Sequence, residues 1–224
     1  MNKNKKIVIT GASSGLGSCL LKSFSKNYDV INISRSISVS DSNIIVNFND
    51  LTVLTKKLQA YNMKHDLCIL NAGTMSGINC AHNISYLDFL EALKVNVIAN
   101  KIIIDWSILN GCKLFIGISS GAALKNYDGW LNYCVSKSAF RSMLLQYQKD
   151  MTDLNFKLIS PGILNTNMNK KIRKVDIDSY PDMRKFHQTS AVDPQKASEL
   201  IYKNFIEYFK IDKLEIDLRN EGEW

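Results

Sequence analysis

Short runs of β-branched and aliphatic residues alternate with longer stretches whose apolar positions recur at helical spacing. Lys6 to Thr10, KIVIT, is apolar along most of its length, the pattern of a strand buried on both faces. Leu16, Leu20, Leu21 and Phe24 then repeat along one face of a helix. Tyr28 to Ile33 and Asn43 to Phe48 read as the next two strands, and Leu51 to Tyr61 as an amphipathic helix. Asp66 to Leu70 is a fourth strand, and Asn83 to Asn110 carries a long helical pattern with Asn96 in its interior. Lys113 to Ser119 is a fifth strand. A helix supported by Val135, Ala139, Met143, Leu144 and Tyr147 follows, then a sixth strand at Phe156 to Ile159. Asp193 at N-cap and Pro194 at N1 open a last helix, and Leu214 to Leu218 closes the sheet. The alternation predicts an α/β fold: one doubly wound domain over 1–224, with a parallel sheet of about seven strands and helices on both faces. Residues 167–190 are polar, basic and weakly patterned, and are expected to form a lid over a site.

Ligands in such sheets bind beyond the carboxyl ends of the strands, so the residues there carry the argument. The first strand runs into Gly11-Ala-Ser-Ser-Gly15-Leu-Gly17, a G-x-x-x-G-x-G turn that opens a helix. Glycine permits a tight turn and lets backbone approach a pyrophosphate, and the helix start offers N–H groups and a partial positive charge. A dinucleotide fold choosing NAD places an acid at the end of the second strand. One choosing NADP places a cation there. Here the strand ends Ser34-Arg35-Ser36. The alternative is a solvated arginine in a loop. After a glycine turn, the fork of Arg35 is expected to hold a 2′-phosphate. The fourth strand ends Asn71-Ala72-Gly73, small enough to admit a flat ligand, and the sixth leads to Pro161-Gly162-Ile163-Leu-Asn-Thr166.

Tyr133 and Lys137 are four apart, on one helix face. A phenol and an ammonium so held make a proton donor whose pKa can be lowered toward working pH. Ser120, at the end of the fifth strand, would complete a site for a carbonyl oxygen if the strand presents it beside the phenol. On most helices such a Tyr/Lys pair is surface decoration. Here the glycine turn, Arg35, Asn71 to Gly73, Ser120 and Pro161 to Thr166 all follow strand ends, and therefore share one rim.

Composition narrows the setting. The 46% hydrophobic and 22% charged residues are a globular profile. The +7 net charge suits a pocket for an anionic ligand. Nucleic acid is not expected, because tight basic clusters occur only at Lys3 to Lys6 and Lys170 to Lys174. The five cysteines have no metal spacing and read as reduced thiols of a cytoplasmic protein. No apolar run is long enough to span a membrane, and His65, His82 and His187 form no metal-binding pattern.

These pieces together resemble the short-chain dehydrogenase/reductase family, a Rossmann-fold family, over essentially the whole chain. The matching motifs are Thr10 to Gly17, Asn71-Ala-Gly73, Asn96, Ser120, Tyr133-x-x-x-Lys137 and Pro161-Gly-x-x-x-Thr166. Gly129 to Cys134, Pro161 to Met168 and Pro181 to Lys185 look most like sepiapterin reductases and bacterial benzil reductases.

The resemblance implies roles. Tyr133 would protonate a carbonyl oxygen while hydride arrives from nicotinamide. Lys137 would hold the ribose and lower the tyrosine pKa, Ser120 would orient the carbonyl, and Asn96 would hold a water linking Lys137 to solvent. Gly11, Ser13, Ser14, Gly15, Leu16 and Gly17 would cradle NADP(H), with Ser34 and Arg35 at its phosphate and Ile163 and Thr166 at its carboxamide. Asp217 would match the aspartate that anchors the pterin in sepiapterin reductases, the alternative being a structural or solvated acid at the sheet edge; Trp130, beside the Tyr133 helix, either lines the substrate pocket or packs the loop. Two departures stand out: Leu70 replaces an asparagine before Asn71, and Asn47 replaces an acid expected near adenine. The expectation is an NADPH-dependent carbonyl reductase acting on a small ketone or dicarbonyl, assembled as a homodimer or homotetramer. The same chemistry on a sugar, nucleotide-sugar or acyl substrate is the alternative, followed by a cofactor-binding sensor without chemistry.

Overall fold

The apolar runs become the strands of one sheet and the periodic stretches pack on its two sides. The computed structural model describes residues 5–36 and 42–220, so Lys3 and Asn4 of the Lys3 to Lys6 cluster lie outside it. The chain forms β1 (Lys6–Thr10), α1 (Gly15–Phe24), β2 (Asp29–Ser34), β3 (Ser42–Ile45), α2 (Leu51–Gln59) and β4 (Leu67–Leu70). Then come α3 (Tyr86–Leu93), α4 (Ala99–Leu109), β5 (Leu114–Ile118), α5 (Leu131–Asp150) and β6 (Asn155–Ser160). The last elements are α6 (Asn167–Ile172), α7 (Arg184–Gln188), α8 (Pro194–Tyr208) and β7 (Glu215–Asp217).

All seven strands are parallel, in the order β3-β2-β1-β4-β5-β6-β7. The chain's progression across the sheet reverses between β1 and β4, which opens a crevice beyond their carboxyl ends. Alternate side chains fill two cores. Val8, Ile31, Phe115 and Phe156 pack with Leu54, Ile103, Phe140 and Leu144 from α2, α4 and α5. Ile7, Ile9, Ile69 and Ile116 pack with Leu20 and Phe24 of α1 and Ile201 and Phe205 of α8. Each such fully buried side chain contributes about 1.5–3 kcal/mol.

Three details depart from the sequence reading. The third strand stops at Ile45 rather than Phe48, because the chain turns at Asn47 and Asp50 caps α2 by accepting from the Val53 amide. The long helical stretch begins at Tyr86, where Ser85 accepts from the Asp88 amide, and a π-helical turn at Lys94–Ile98 separates α3 from α4. Residues 167–190, weakly patterned in the sequence, include short helices. They form α6, a 3₁₀ turn at Pro181–Met183 and α7, and bury Ile172, Met183 and Phe186 against Trp130 and Tyr133 in a third cluster.

Candidate active site

The rim expected from the sequence is one cavity of about 720 Å³. Its wall includes the glycine turn, Ser34, Arg35, Asn71 to Gly73, Ser120, Tyr133, Lys137, Pro161 to Leu164, Thr166, Trp130 and Asp217. The volume lies within the range of small-molecule and cofactor sites.

At one end, Gly11 has φ +70°, and a Cβ on Gly17 would lie 2.2 Å from the Gly11 carbonyl oxygen. Any side chain at residue 17 would therefore push α1 off the turn. Ser14 precedes α1 without a side-chain cap, so the first-turn amides face the cavity mouth unclaimed by it. Two partners fix this turn. The Thr10 hydroxyl oxygen accepts from the amides of both Asn71 and Ala72, at 2.9 Å each. Asn71 returns its side-chain NH₂ to the Thr10 carbonyl at 2.9 Å, so its amide clamps the turn. Asn32, buried in β2, accepts from the Ala12 amide at 3.2 Å and donates to Ser34 Oγ at 2.9 Å and Asn43 Oδ1 at 2.8 Å. That network holds the glycine turn to the start of the Arg35 loop, and it consumes the hydroxyl of Ser34, which donates to the Ser36 carbonyl. Arg35 itself is exposed at the cavity edge. These features fit a dinucleotide phosphate backbone: a steric cradle, free helix-start amides and a cation at the end of β2.

At the inner end, α5 carries Tyr133 and Lys137, both buried. Ser120, extending β5, stands close enough to the Tyr133 phenol to pull its pKa down, and its Oγ accepts from the Ala122 amide at 3.2 Å. Lys137 donates from Nζ to the Ile118 carbonyl at 2.9 Å and lies 5.8 Å from the Tyr133 ring centroid. Burial pushes the phenol up to about 12, although Ser120 pulls it down. Burial drives Lys137 down to about 8. Burial therefore sets the direction of the phenol, and the neighbour that lowers it is Ser120 rather than the expected Lys137. Asn96, in the π turn, donates to the Thr74 carbonyl at 2.9 Å and Ser136 Oγ at 2.8 Å, and accepts from the Thr74 amide at 2.7 Å. Its amide therefore braces the loop after Gly73 against α5, leaving its side chain committed to protein partners.

Past the cofactor-sized part, Thr166 caps α6 by accepting from the Asn169 amide, and the Ile163 carbonyl accepts from Val192 at 2.9 Å. Trp130 is buried and meets Tyr133 edge-on at 5.6 Å. Asp217 lines the cavity and is paired with Arg219. Arg219 engages its carboxylate through the backbone amide at 3.1 Å, through Nε at 2.8 Å and through Nη2, and holds its pKa below the ordinary range. A carboxylate so compensated is a poor anchor for a substrate donor. Sequence reasoning passed over Asn32 and Arg219. Each left a signal: a polar residue inside an apolar strand, and a cation two positions after the acid that ends the last strand, in a 3₁₀ turn.

Comparison with known proteins bears on this geometry. The family model of the short chain dehydrogenases matches residues 45–176, more than half of the chain. The chain belongs to the short chain dehydrogenase family. It is therefore an oxidoreductase. A benzil reductase ((S)-benzoin forming) of Bacillus subtilis is 27% identical over 209 residues, covering 83% of this chain and 86% of the relative. A protein of the same description from Saccharomyces cerevisiae is 26% identical, covering 76% and 75%. Among solved structures, the closed form of a serine dehydrogenase complexed with NADP+ superposes with a TM-score of 0.80 at 19% identity, covering 95% of this chain and 93% of the other. The family assignment and the benzil-reductase likeness agree with the resemblance read from the motifs. Among the described residues, no helix is long and apolar enough to cross a membrane.

Proposed function

We propose that this dehydrogenase-family enzyme reduces a small ketone or dicarbonyl with NADPH, with Tyr133 as the proton donor. The observation that carries this reading is the convergence of Ser120, Tyr133 and Lys137 on the inner end of a cavity whose other end is the glycine turn and Arg35. The chemistry that a reduced nicotinamide supplies in such a cavity is hydride addition to a carbonyl carbon. Negative charge then builds on the carbonyl oxygen. Ser120 donates to that oxygen and fixes its direction, and Tyr133 transfers its phenolic proton to it. A phenol that stays protonated through neutral pH is suited to giving a proton. The ammonium of Lys137 offsets the phenolate left behind, and Asn96 keeps α5 and the loop after Gly73 in register. Ser13, Gly15, Leu16, Thr166 and the backbone at Ile163 are assigned to the cofactor, and Arg35 to its 2′-phosphate. The α6–α7 segment is assigned to closing over the substrate. The names of the benzil reductase relatives support an aromatic dicarbonyl as the substrate type.

The test is oxidation of NADPH with 1-phenyl-1,2-propanedione. Tyr133→Phe is expected to lower kcat by about 10²–10⁴-fold while NADPH still binds by fluorescence titration. Arg35→Ala is expected to raise the Kd for NADPH, and not for NADH, by about tenfold or more. A wild-type enzyme that prefers NADH would overturn the cofactor assignment. Cofactor binding without turnover of any carbonyl would return the protein to a sensor role. The free cysteines support a reducing, cytoplasmic setting.

A further inference from the structure

We propose that Arg219, fixed by Asp217, forms an anion-binding subsite at the outer part of the cavity, and that the carbonyl substrate carries an acidic group on an aromatic body. The inference rests on the reductase reading above and names the substrate class of that site.

The register of β6 with β7 sets Asp217 level with Ser160, the residue leading into the Pro161 turn. Asp217 is thus at the carboxyl end of the sheet, where the cavity opens, and both Asp217 and Arg219 line it. The carboxylate takes the Nε edge of the guanidinium together with one Nη2 proton. A guanidinium has five N–H groups in a rigid fork, so this pairing leaves the Nη1 side and a second Nη2 proton for another acceptor. The Arg219 side chain retains 47% of its exposure, so a ligand can reach it. An arginine oriented from behind by an acid and open in front is arranged for planar, bidentate recognition of a carboxylate.

The surrounding charge has the same sign. Lys125 and Lys185 also line the cavity. Among the described lining residues the acids are Asp217, which Arg219 already compensates, and Glu91. Between this rim and the phenol stands an aromatic wall. The Tyr127 and Trp130 rings are 5.0 Å apart, Phe186 is 4.9 Å from Trp130, and Trp130 meets Tyr133. Arg219 is also close enough to Tyr127 for its charge to pull that phenol down against the push of burial. A ligand running from the phenol to the rim would therefore present a carbonyl, a flat apolar body and an anion, in that order.

The test uses the full-length protein saturated with NADP+, which fills the phosphate sites, and isothermal titration with phenylglyoxylate and with its methyl ester. The acid is expected to bind about ten- to a hundredfold more tightly than the ester, with the preference shrinking as salt is added. Arg219→Gln is expected to collapse the acid-to-ester ratio toward one, and Arg219→Lys to keep part of it. A wild-type ratio near one, or a ratio that survives Arg219→Gln, overturns the subsite. The wild-type ratio needs no variant to fold. It is also independent of turnover. Reduction of the neutral dione without an acid preference sinks this inference alone, whereas an acid preference without reduction of any carbonyl sinks the reductase reading alone.

Discussion

Lys137 shows how a buried group couples the site to stability. Desolvation lowers it from 10.5 to about 8. Between those values the unfolded chain holds a proton that the folded protein has released, so this group makes stability rise with pH across that window. Below about 8 the buried ammonium is a standing cost. The wild-type stability relative to Lys137→Met, measured by urea denaturation without cofactor, is expected to increase from about pH 7 to about pH 10. A difference that stays flat would show that Lys137 titrates normally. Asn32 works through hydrogen bonds instead. Asn32→Leu would strand the Ala12 amide and remove a donor to the Asn43 side chain, and is expected to cost about 1–3 kcal/mol in denaturant unfolding and to weaken NADPH binding as well. The sequence made Tyr133, Lys137 and Ser120 legible because their spacing and strand-end position are local facts. It did not reveal the pairing of Asp217 with Arg219, because the state of a carboxylate depends on its partner.

Among elements, α1 and its turn tolerate the least change. With a Cβ at residue 17 only 2.2 Å from the Gly11 carbonyl oxygen, Gly17→Ala must displace the start of the helix. It is expected to cost about 1–3 kcal/mol and to weaken NADPH binding at least tenfold, read by fluorescence titration; unaltered binding would mean that the amides of this turn do not contact the cofactor. β1 was readable to the residue because an apolar run buried on both faces has no competing pattern. The break between α3 and α4 was not. The π turn leaves the apolar periodicity intact on either side, and what defines it is a backbone bond from the Ala99 amide to the Lys94 carbonyl, five residues back. The α6–α7 segment was also illegible, since helices of six and five residues have little stability of their own and are held by distant aromatic rings. Phe186→Ala is expected to raise KM for the dione and to open residues 173–190 to limited proteolysis. An unchanged digestion pattern would argue against the ring as the fastener.

Over the whole molecule, two cores secure the sheet and a third, smaller one contains the proposed proton donor. The helices flanking this arrangement keep large apolar groups in water: Tyr86 and Leu87 on α3, Leu109 on α4, Leu131 and Val135 on α5. Such a surface supports pairing between copies of the chain. Sedimentation velocity is expected to give a dimer or tetramer, and Val135→Glu to shift it toward monomer; a wild-type monomer at every concentration would refute the pairing. The global topology was legible because strict strand–helix alternation permits few alternatives to a right-handed parallel sheet. The third core has an optical consequence. Trp130 lies between Tyr133 and Phe186, whereas Trp106 is stacked on His65 within the α4 core. One indole therefore reports on the reaction chamber and another serves as an internal reference. Loading of the chamber should be visible as a change in the intrinsic emission of unlabelled protein, and Trp130→Phe should silence it.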